Sequence, residues 1–149
     1  MRTKSTPAKR PRSSVAVQRA VRAAPPAARL RAWALAAVRA GAEVTLRVVG
    51  AAEARKLNRA FRRRDYATNV LSFAYSWRQG DVVLCHPVIR REARAQGKTL
   101  AAHYAHLVVH GVLHLHGLDH VRARDSRRME RAELRILRRL GVDDPYAVK

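Results

Sequence analysis

The chain is poor in cysteine and in long apolar runs, and each shortage excludes a class of protein. It holds a single cysteine, Cys85, among 149 residues, so no disulfide can form within it. It has no run of about 18 apolar residues, so we expect no membrane span, and its first residues lack the apolar segment of a secretory signal. Cys85 ends the apolar stretch VVLC, which is typical of a buried core residue. These features favour the reducing environment of the cytoplasm.

Acidic residues are also scarce. The chain has 11 Asp and Glu against 31 Lys and Arg, which gives a net charge of +20. A surface this basic attracts phosphate polymers and binds them in a salt-dependent way. The codon bias of a GC-rich genome can explain why arginine outnumbers lysine, but it explains the shortage of acids less well. We therefore expect contact with nucleic acid.

The shortage of acids is most marked at the N-terminus, where residues 1–42 contain neither Asp nor Glu. Prolines are frequent up to residue 26, so we predict that 1–26 form a basic, mostly disordered leader before a single domain over 27–149. Such a leader is either an arm that touches RNA or an organellar transit peptide. The arm is the favoured interpretation.

Hydrophobic periodicity predicts the α+β class, with a small mixed β-sheet covered by helices. Helices are expected at 27–41 with Gly41 as C-cap, and at 51–64 with Leu57 and Phe61 on the inner face. Alternation of Val44, Leu46 and Val48 predicts a strand between them. Further along the chain, the patterns predict a hairpin of strands at 69–75 and 81–86, then helices at 87–96, 99–116 and 126–140.

Six of the seven histidines lie between positions 103 and 120. His110 and His114 are four residues apart in a predicted helix, so both imidazoles lie on one face. Gly117 allows a sharp turn that can return His120 to the same ion. Three histidine nitrogens leave the fourth tetrahedral position of one Zn²⁺ per chain open for water or substrate, as in catalytic sites. The expectation for the neighbouring residues is that Asp119 orients a ligand histidine or serves the turn, and that three histidines stay outside the ligand set: His103, His106 and His116.

The spacing H-x3-H-x2-G-x2-H is the metal frame of the metzincin proteases. In those proteases a glutamate follows the first histidine and acts as general base, whereas this chain has Gly111 there. We therefore do not expect peptide hydrolysis by the usual route.

An arginine-rich segment precedes the predicted hairpin. Arginine beside a metal suits phosphate chemistry, because its planar guanidinium can hold two oxygens and stabilise developing charge. Arg62 lies one turn past Asn58 and is the candidate for this role. Arg63 and Arg64 fit a solvated helix end better, although composition alone does not separate the three.

From about residue 30 to Tyr146 the chain resembles the YbeY family of bacterial endoribonucleases. The motifs that carry the resemblance follow one another in the expected order: LNRAFRRRDYATNVLSF (57–73), GDVVLC (80–85), EARAQGK (92–98), HGVLHLHGLDH (110–120), MERAE (129–133) and LGVDDPY (140–146). The chain departs from the family in the short hairpin link SWRQG and in Leu118, where an aromatic residue is usual. The leader lies outside the resemblance.

The resemblance implies a zinc-bound, single-strand-specific endoribonuclease that matures the 3′ end of 16S rRNA and acts in ribosome quality control. Its implied partners are single-stranded RNA, ribosomal RNA and the ribosome. The family's three metal histidines match His110, His114 and His120, and the arginine of its catalytic cleft matches Arg62. Arg62 and His110 are thus the candidate catalytic residues.

Several alternatives stay open on the sequence. Zinc hydroxide or the 2′-hydroxyl of RNA can supply the nucleophile, and Glu92 is either a weak acid–base candidate or a structural residue of its helix that supports the side chains of the metal site. A non-catalytic RNA-binding assembly factor with structural zinc is the alternative function. A zinc hydrolase for small molecules or peptides fits the charge less well.

Overall fold

The computed structural model describes residues 12–117 and 123–147, without the side chains of 123–125. Within these residues it confirms the α+β class, with a four-stranded mixed sheet and five helices. The elements in chain order are β1 (Ser14–Arg19), α1 (Ala27–Ala37), β2 (Glu43–Val49), α2 (Ala51–Arg62), β3 (Val70–Ala74), β4 (Gln79–Cys85), α3 (His86–Ala95), α4 (Leu100–Leu115) and α5 (Ala123–Arg139). None of the described helices is long and apolar enough to cross a bilayer.

The strands lie side by side in the order β1-β2-β4-β3. β1, β2 and β4 are parallel, and β3 runs antiparallel to β4 at the edge of the sheet. Val82 of β4 lies opposite Leu46 of β2 and opposite Ser72 of β3. The predicted hairpin is confirmed, because the short link between β3 and β4 allows only antiparallel pairing.

The disordered leader predicted for 1–26 is wrong for Ser14–Arg19, which form the parallel edge strand β1. Val15 is buried, and the guanidinium of Arg31 in α1 donates a hydrogen bond to the Val15 carbonyl at 3.1 Å. The alternation of Val15 and Val17 spans only two apolar residues, and Ser14, Ala16 and Gln18 between and beside them lie on the exposed face of the strand. Residues 1–11 lie outside the described part of the chain.

The sheet is covered on both faces. Alternate residues of β4 point to opposite faces: Val82 and Leu84 join the larger core under α1, α4 and α5, and Val83 and Cys85 join a smaller core under α2 and α3. Cys85 is 1% exposed, which confirms it as a core residue. Burial also raises the pKa of its thiol, which opposes a nucleophilic role.

The end of α1 and the buried face of α2 differ from the prediction. α1 ends at Ala37, because Val38 is already extended, and Gly41 with φ of 81° serves the turn into β2 instead. In α2 the buried residues are Ala54 and Asn58, whereas Phe61 is 62% exposed. Leu57 packs against the smaller core as predicted, so the inner face of α2 consists of Ala54, Leu57 and Asn58 and does not include Phe61.

Candidate metal centre and catalytic cleft

α4 carries four histidines through the core of the molecule. Its first turn is capped by Thr99, whose hydroxyl accepts a hydrogen bond from the Ala102 N–H at 3.1 Å. The helix ends at Leu115, and Gly117 has a positive φ of 85°, a conformation that favours glycine. The rings of His110 and His114 are stacked at 19°, with centroids 6.5 Å apart. The expectation that these two side chains share one face is thus confirmed.

His110 and His114 line a cleft of about 150 Å³ with residues of α2 and β3. The opposite wall consists of Arg62, Val70, Leu71 and Ser72. The cleft forms because the edge strand β3 crosses α4 beside the two histidines. Arg62 is exposed to solvent at this wall of the cleft.

Two contacts hold Arg62 at the cleft. Its guanidinium donates a hydrogen bond to the Ser72 carbonyl at 2.9 Å and lies 5.6 Å from the centre of the Phe73 ring. The chain reaches this position because Arg63, with φ of 56°, ends α2 in the left-handed region. The structure therefore brings Arg62 to the same cleft as the two histidines, although they are far apart in sequence.

Gly111 has no room for a side chain. A Cβ built at this position would lie 2.7 Å from Val82 Cγ1 and 3.2 Å from Val70 Cγ2. The Ser72 hydroxyl also donates to the Gly111 carbonyl at 2.9 Å. The position that holds a glutamate in the metzincins here faces the sheet, so the absence of that base is a consequence of close helix–sheet packing.

Glu133 of α5 is fully buried beside His110. One of its oxygens hydrogen-bonds His110 Nδ1, and the other accepts from the Tyr146 hydroxyl at 2.5 Å and contacts His106 Nε2 at 3.2 Å. Burial alone would raise the pKa of this carboxyl, but the hydrogen bonds from His106, His110 and Tyr146 outweigh it and lower the pKa to about 2. Glu133 is thus an ionised carboxylate that orients the His110 ring.

The donor atoms of His106, His110 and Glu133 lie within 4.8 Å of one another and could hold a metal ion. His106 was expected to stay outside the ligand set, and this stays a prediction, but the structure places its ring beside that of His110, one helical turn away, with the ring centroids 6.0 Å apart. Imidazole nitrogens with a carboxylate are a donor set that zinc accepts. A second arrangement is also possible. In it the ion would bind Nε2 of His110, and Glu133 would hold the ring through Nδ1 instead of acting as a ligand.

The remaining predicted site residues divide into two groups. His120 and Asp119 lie outside the described residues. Glu92 lies away from the cleft, where it accepts hydrogen bonds from the Asn69 amide and from His103 Nε2, both at 3.0 Å. Of the two roles considered for Glu92, the structure favours that of a partner for neighbouring side chains.

Glu133 and Tyr146 were missed as parts of the site. A signal for Glu133 was present: it lies four residues after Met129 and three before Ile136, on the apolar face of a helix. An acidic residue on such a face needs partners inside the protein. Nothing local to Tyr146 indicates its role, because only the fold brings the C-terminal segment back to α5.

Residues 13–141 match the family model described as Endoribonuclease YbeY. The match starts well before residue 30, so β1 belongs to the family's domain and not to a separate leader.

Curated relatives agree with this match. A protein named Endoribonuclease YbeY from Aromatoleum aromaticum is 52% identical over 91% of this chain and 94% of its own length. Proteins with the same name from Bordetella petrii and Thiobacillus denitrificans are 58% and 53% identical, over 72% and 82% of this chain and 73% and 86% of their own lengths.

A solution structure of a Thermotoga maritima protein shares the fold. Its TM-score is 0.53 at 18% identity, and the match covers 90% of this chain and 99% of that one. The fold, the histidine motif and the extent of the sequence matches lead to one conclusion: the chain belongs to the YbeY endoribonuclease family.

Proposed function

We propose that this protein is a zinc-dependent endoribonuclease that cuts single-stranded RNA. The observation that carries the proposal is the shared cleft: Arg62, His110 and His114 come from two distant segments and line one cavity. Its curated relatives are named as endoribonucleases, and the net charge of +20 suits a polyanionic substrate.

His110 and His114 would hold the metal ion, with His120 as the proposed third ligand. Bound zinc would supply a Lewis acid for phosphate oxygen and would lower the pKa of a coordinated water towards about 7. Glu133 keeps the His110 ring in one tautomer and orientation through Nδ1. The alternative set is His106, His110 and Glu133, and it would place the ion on the other side of His110.

Arg62 would bind the scissile phosphate. Its hydrogen bond to the Ser72 carbonyl fixes the guanidinium at the rim, where the charge can stabilise the extra negative charge of the transition state. Gly111 offers no base. Position 111 therefore supplies no proton acceptor: bound zinc would have to lower the pKa of an attacking water, and an attacking RNA 2′-hydroxyl would need another group of the cleft as base.

The finer parts of the proposal follow from the resemblance. The substrate would be ribosomal RNA, in the maturation of the 16S 3′ end and in ribosome quality control, and the site of action would be the cytoplasm. The ribosome would be the partner.

The test measures zinc content and cleavage of a single-stranded rRNA fragment in four proteins: wild type, His114→Ala, Arg62→Ala and Arg63→Ala. Circular dichroism establishes that each variant is folded. We expect His114→Ala to lose zinc and cleavage. Arg62→Ala should keep zinc but cleave about 100-fold more slowly or worse. The neighbouring Arg63→Ala is the matched control and should behave like wild type.

A further variant separates the two metal sets. If His106→Ala keeps zinc and activity, the ion lies at His110 and His114, whereas loss of zinc favours the set with Glu133. If zinc-loaded wild type binds the RNA but never cuts it, the protein is a non-catalytic RNA-binding assembly factor.

A further inference from the structure

The turn between β3 and β4 exposes two large aromatic rings. Tyr75 and Trp77 are 67% and 63% exposed, although burial of such side chains normally stabilises a fold. The other tryptophan, Trp33, is 6% exposed and lies in the core. Phe61 and Tyr66 are exposed as well, but of the two tryptophans only the one at the turn is exposed.

The turn is held in one conformation by its own hydrogen bonds. The Ser76 hydroxyl accepts from the N–H groups of Arg78 and Gln79, both at 3.1 Å, and the Tyr75 N–H donates to the Gln79 carbonyl at 2.9 Å. The Tyr75 hydroxyl donates to Asp81 at 2.7 Å, which fixes the ring from its far end. Binding of a ligand to these rings would therefore cost little conformational entropy.

The turn lies next to the proposed catalytic cleft. Residues 70–72 of β3 line the cleft, and the strand continues directly into the turn. Trp77 and Arg78 also share a narrow gap with Leu115 and His116, which directly follow His114 at the end of α4. Trp77 is five positions after Ser72, so the two Cα atoms are at most about 17 Å apart.

The chemistry of the turn fits one kind of partner. The Arg78 guanidinium lies 5.4 Å from the Trp77 ring centre, so a positive charge and an exposed π-face are presented together. Single-stranded nucleic acid is bound by this combination, because bases stack on the ring and phosphates pair with the arginine. A duplex keeps its bases stacked on one another and offers no such face along its length.

We propose that Trp77, supported by Arg78 and Tyr75, forms a stacking platform for a base of single-stranded RNA that extends from the cleft. The inference rests on the proposed function, since it assigns a second contact to the same substrate. Because stacking tolerates any base, the platform adds affinity for unpaired RNA without reading its sequence.

The test uses tryptophan fluorescence. In a Trp33→Phe background Trp77 is the sole tryptophan of the chain. The probe is a 2′-O-methyl RNA single strand of about ten nucleotides, and gel electrophoresis after each titration checks that it is intact. We expect this strand to quench Trp77 at low salt, and a duplex of the same sequence to quench it much less.

Affinities of three further variants complete the test. Trp77→Leu should weaken single-strand binding about tenfold, and Trp77→Phe, which keeps a ring, should stay within about threefold of wild type. Leu35→Ala is the control, since it alters an exposed apolar residue of α1 outside the cleft. If the fluorescence does not change, or if the Trp77→Leu and Trp77→Phe variants bind equally well, Trp77 is not a stacking platform. The exposed rings would then serve contact with a protein. Ring-dependent binding without any cleavage would instead uphold the platform and refute the proposed nuclease.

Discussion

Glu133 is a charged residue in the middle of the core, and its partners explain why it stays ionised there. An isolated buried carboxylate is strongly unfavourable, but this one is bonded to His106, His110 and Tyr146. Burial raises the pKa of the Tyr146 hydroxyl, and the hydrogen bond to Glu133 raises it further. The network connects α4, α5 and the C-terminal segment to one ring of the candidate metal centre.

We expect Glu133→Gln to weaken zinc binding by about 10- to 100-fold, because an amide holds the His110 ring less well than a carboxylate does. Competition with a chelator of known affinity measures the change. Glu43→Gln, a charge change on the exposed start of β2, is the control and should bind zinc like wild type. Equal affinities of both variants would show that Glu133 does not orient a ligand.

His116 is expected to make stability depend on pH. Its Nε2 accepts a hydrogen bond from the Arg39 N–H at 3.0 Å, and burial, followed by the charge of Arg39, lowers its pKa to about 4. The unfolded chain, with the ordinary value of 6.5, therefore takes up the proton first. The free energy of unfolding should fall as pH drops from 6.5 to 4.

His116→Gln keeps an acceptor but does not titrate, so it should lose part of this dependence. Urea unfolding of metal-free protein at pH 7.5 and at pH 5 measures the effect. If both proteins lose the same stability between the two pH values, His116 is not responsible.

At the scale of elements, the packing of α4 on the sheet depends on Gly111. We expect Gly111→Ala to destabilise the protein by about 1–3 kcal/mol, because the new methyl group meets Val82 and the helix must move. The same movement shifts His110 and His114, so cleavage should fall as well. Gly50→Ala is the matched control, since a Cβ there has open space. Thermal unfolding of the two variants gives the comparison, and equal melting temperatures would contradict it.

Substitutions can test whether Ser14–Arg19 form the strand β1 or belong to the disordered leader that the sequence predicted. Val15→Asp places a charge in the larger core and should cost about 2–4 kcal/mol, whereas Ala16→Asp on the exposed face of the same strand should cost little. Urea unfolding measures both. A disordered segment would tolerate the two substitutions equally, so equal stabilities would refute the strand.

At the scale of the whole molecule, the net charge dominates interaction with RNA. For a single strand that contacts about five phosphates, affinity should fall about 100-fold between about 50 and about 200 mM salt. Fluorescence anisotropy across this range gives the slope of log affinity against log salt. Arg62→Ala, with one contact fewer, should reduce the slope by about 1 or less. A slope near zero would mean that the excess charge does not serve RNA binding.

Much of the fold follows from local patterns. Eight of the nine described elements were expected from periodicity and turn residues, because apolar spacing, Pro87, Gly97 and Thr99 act within a few positions of themselves. β1 was missed because its two valines are too short a pattern to outweigh a basic, proline-containing context. Its pairing with β2 depends on a partner that lies nearly thirty residues away.

The sequence by itself determined the class, the excess of positive charge and the pairing of His110 with His114, because helical geometry places residues four apart on one face. Only the tertiary structure decided which arginine reaches those histidines, that Gly111 faces the sheet, and that Glu133, His106 and Tyr146 surround His110. These contacts join segments that are distant along the chain. Their geometry depends on how the helices pack on the sheet, which no local pattern encodes.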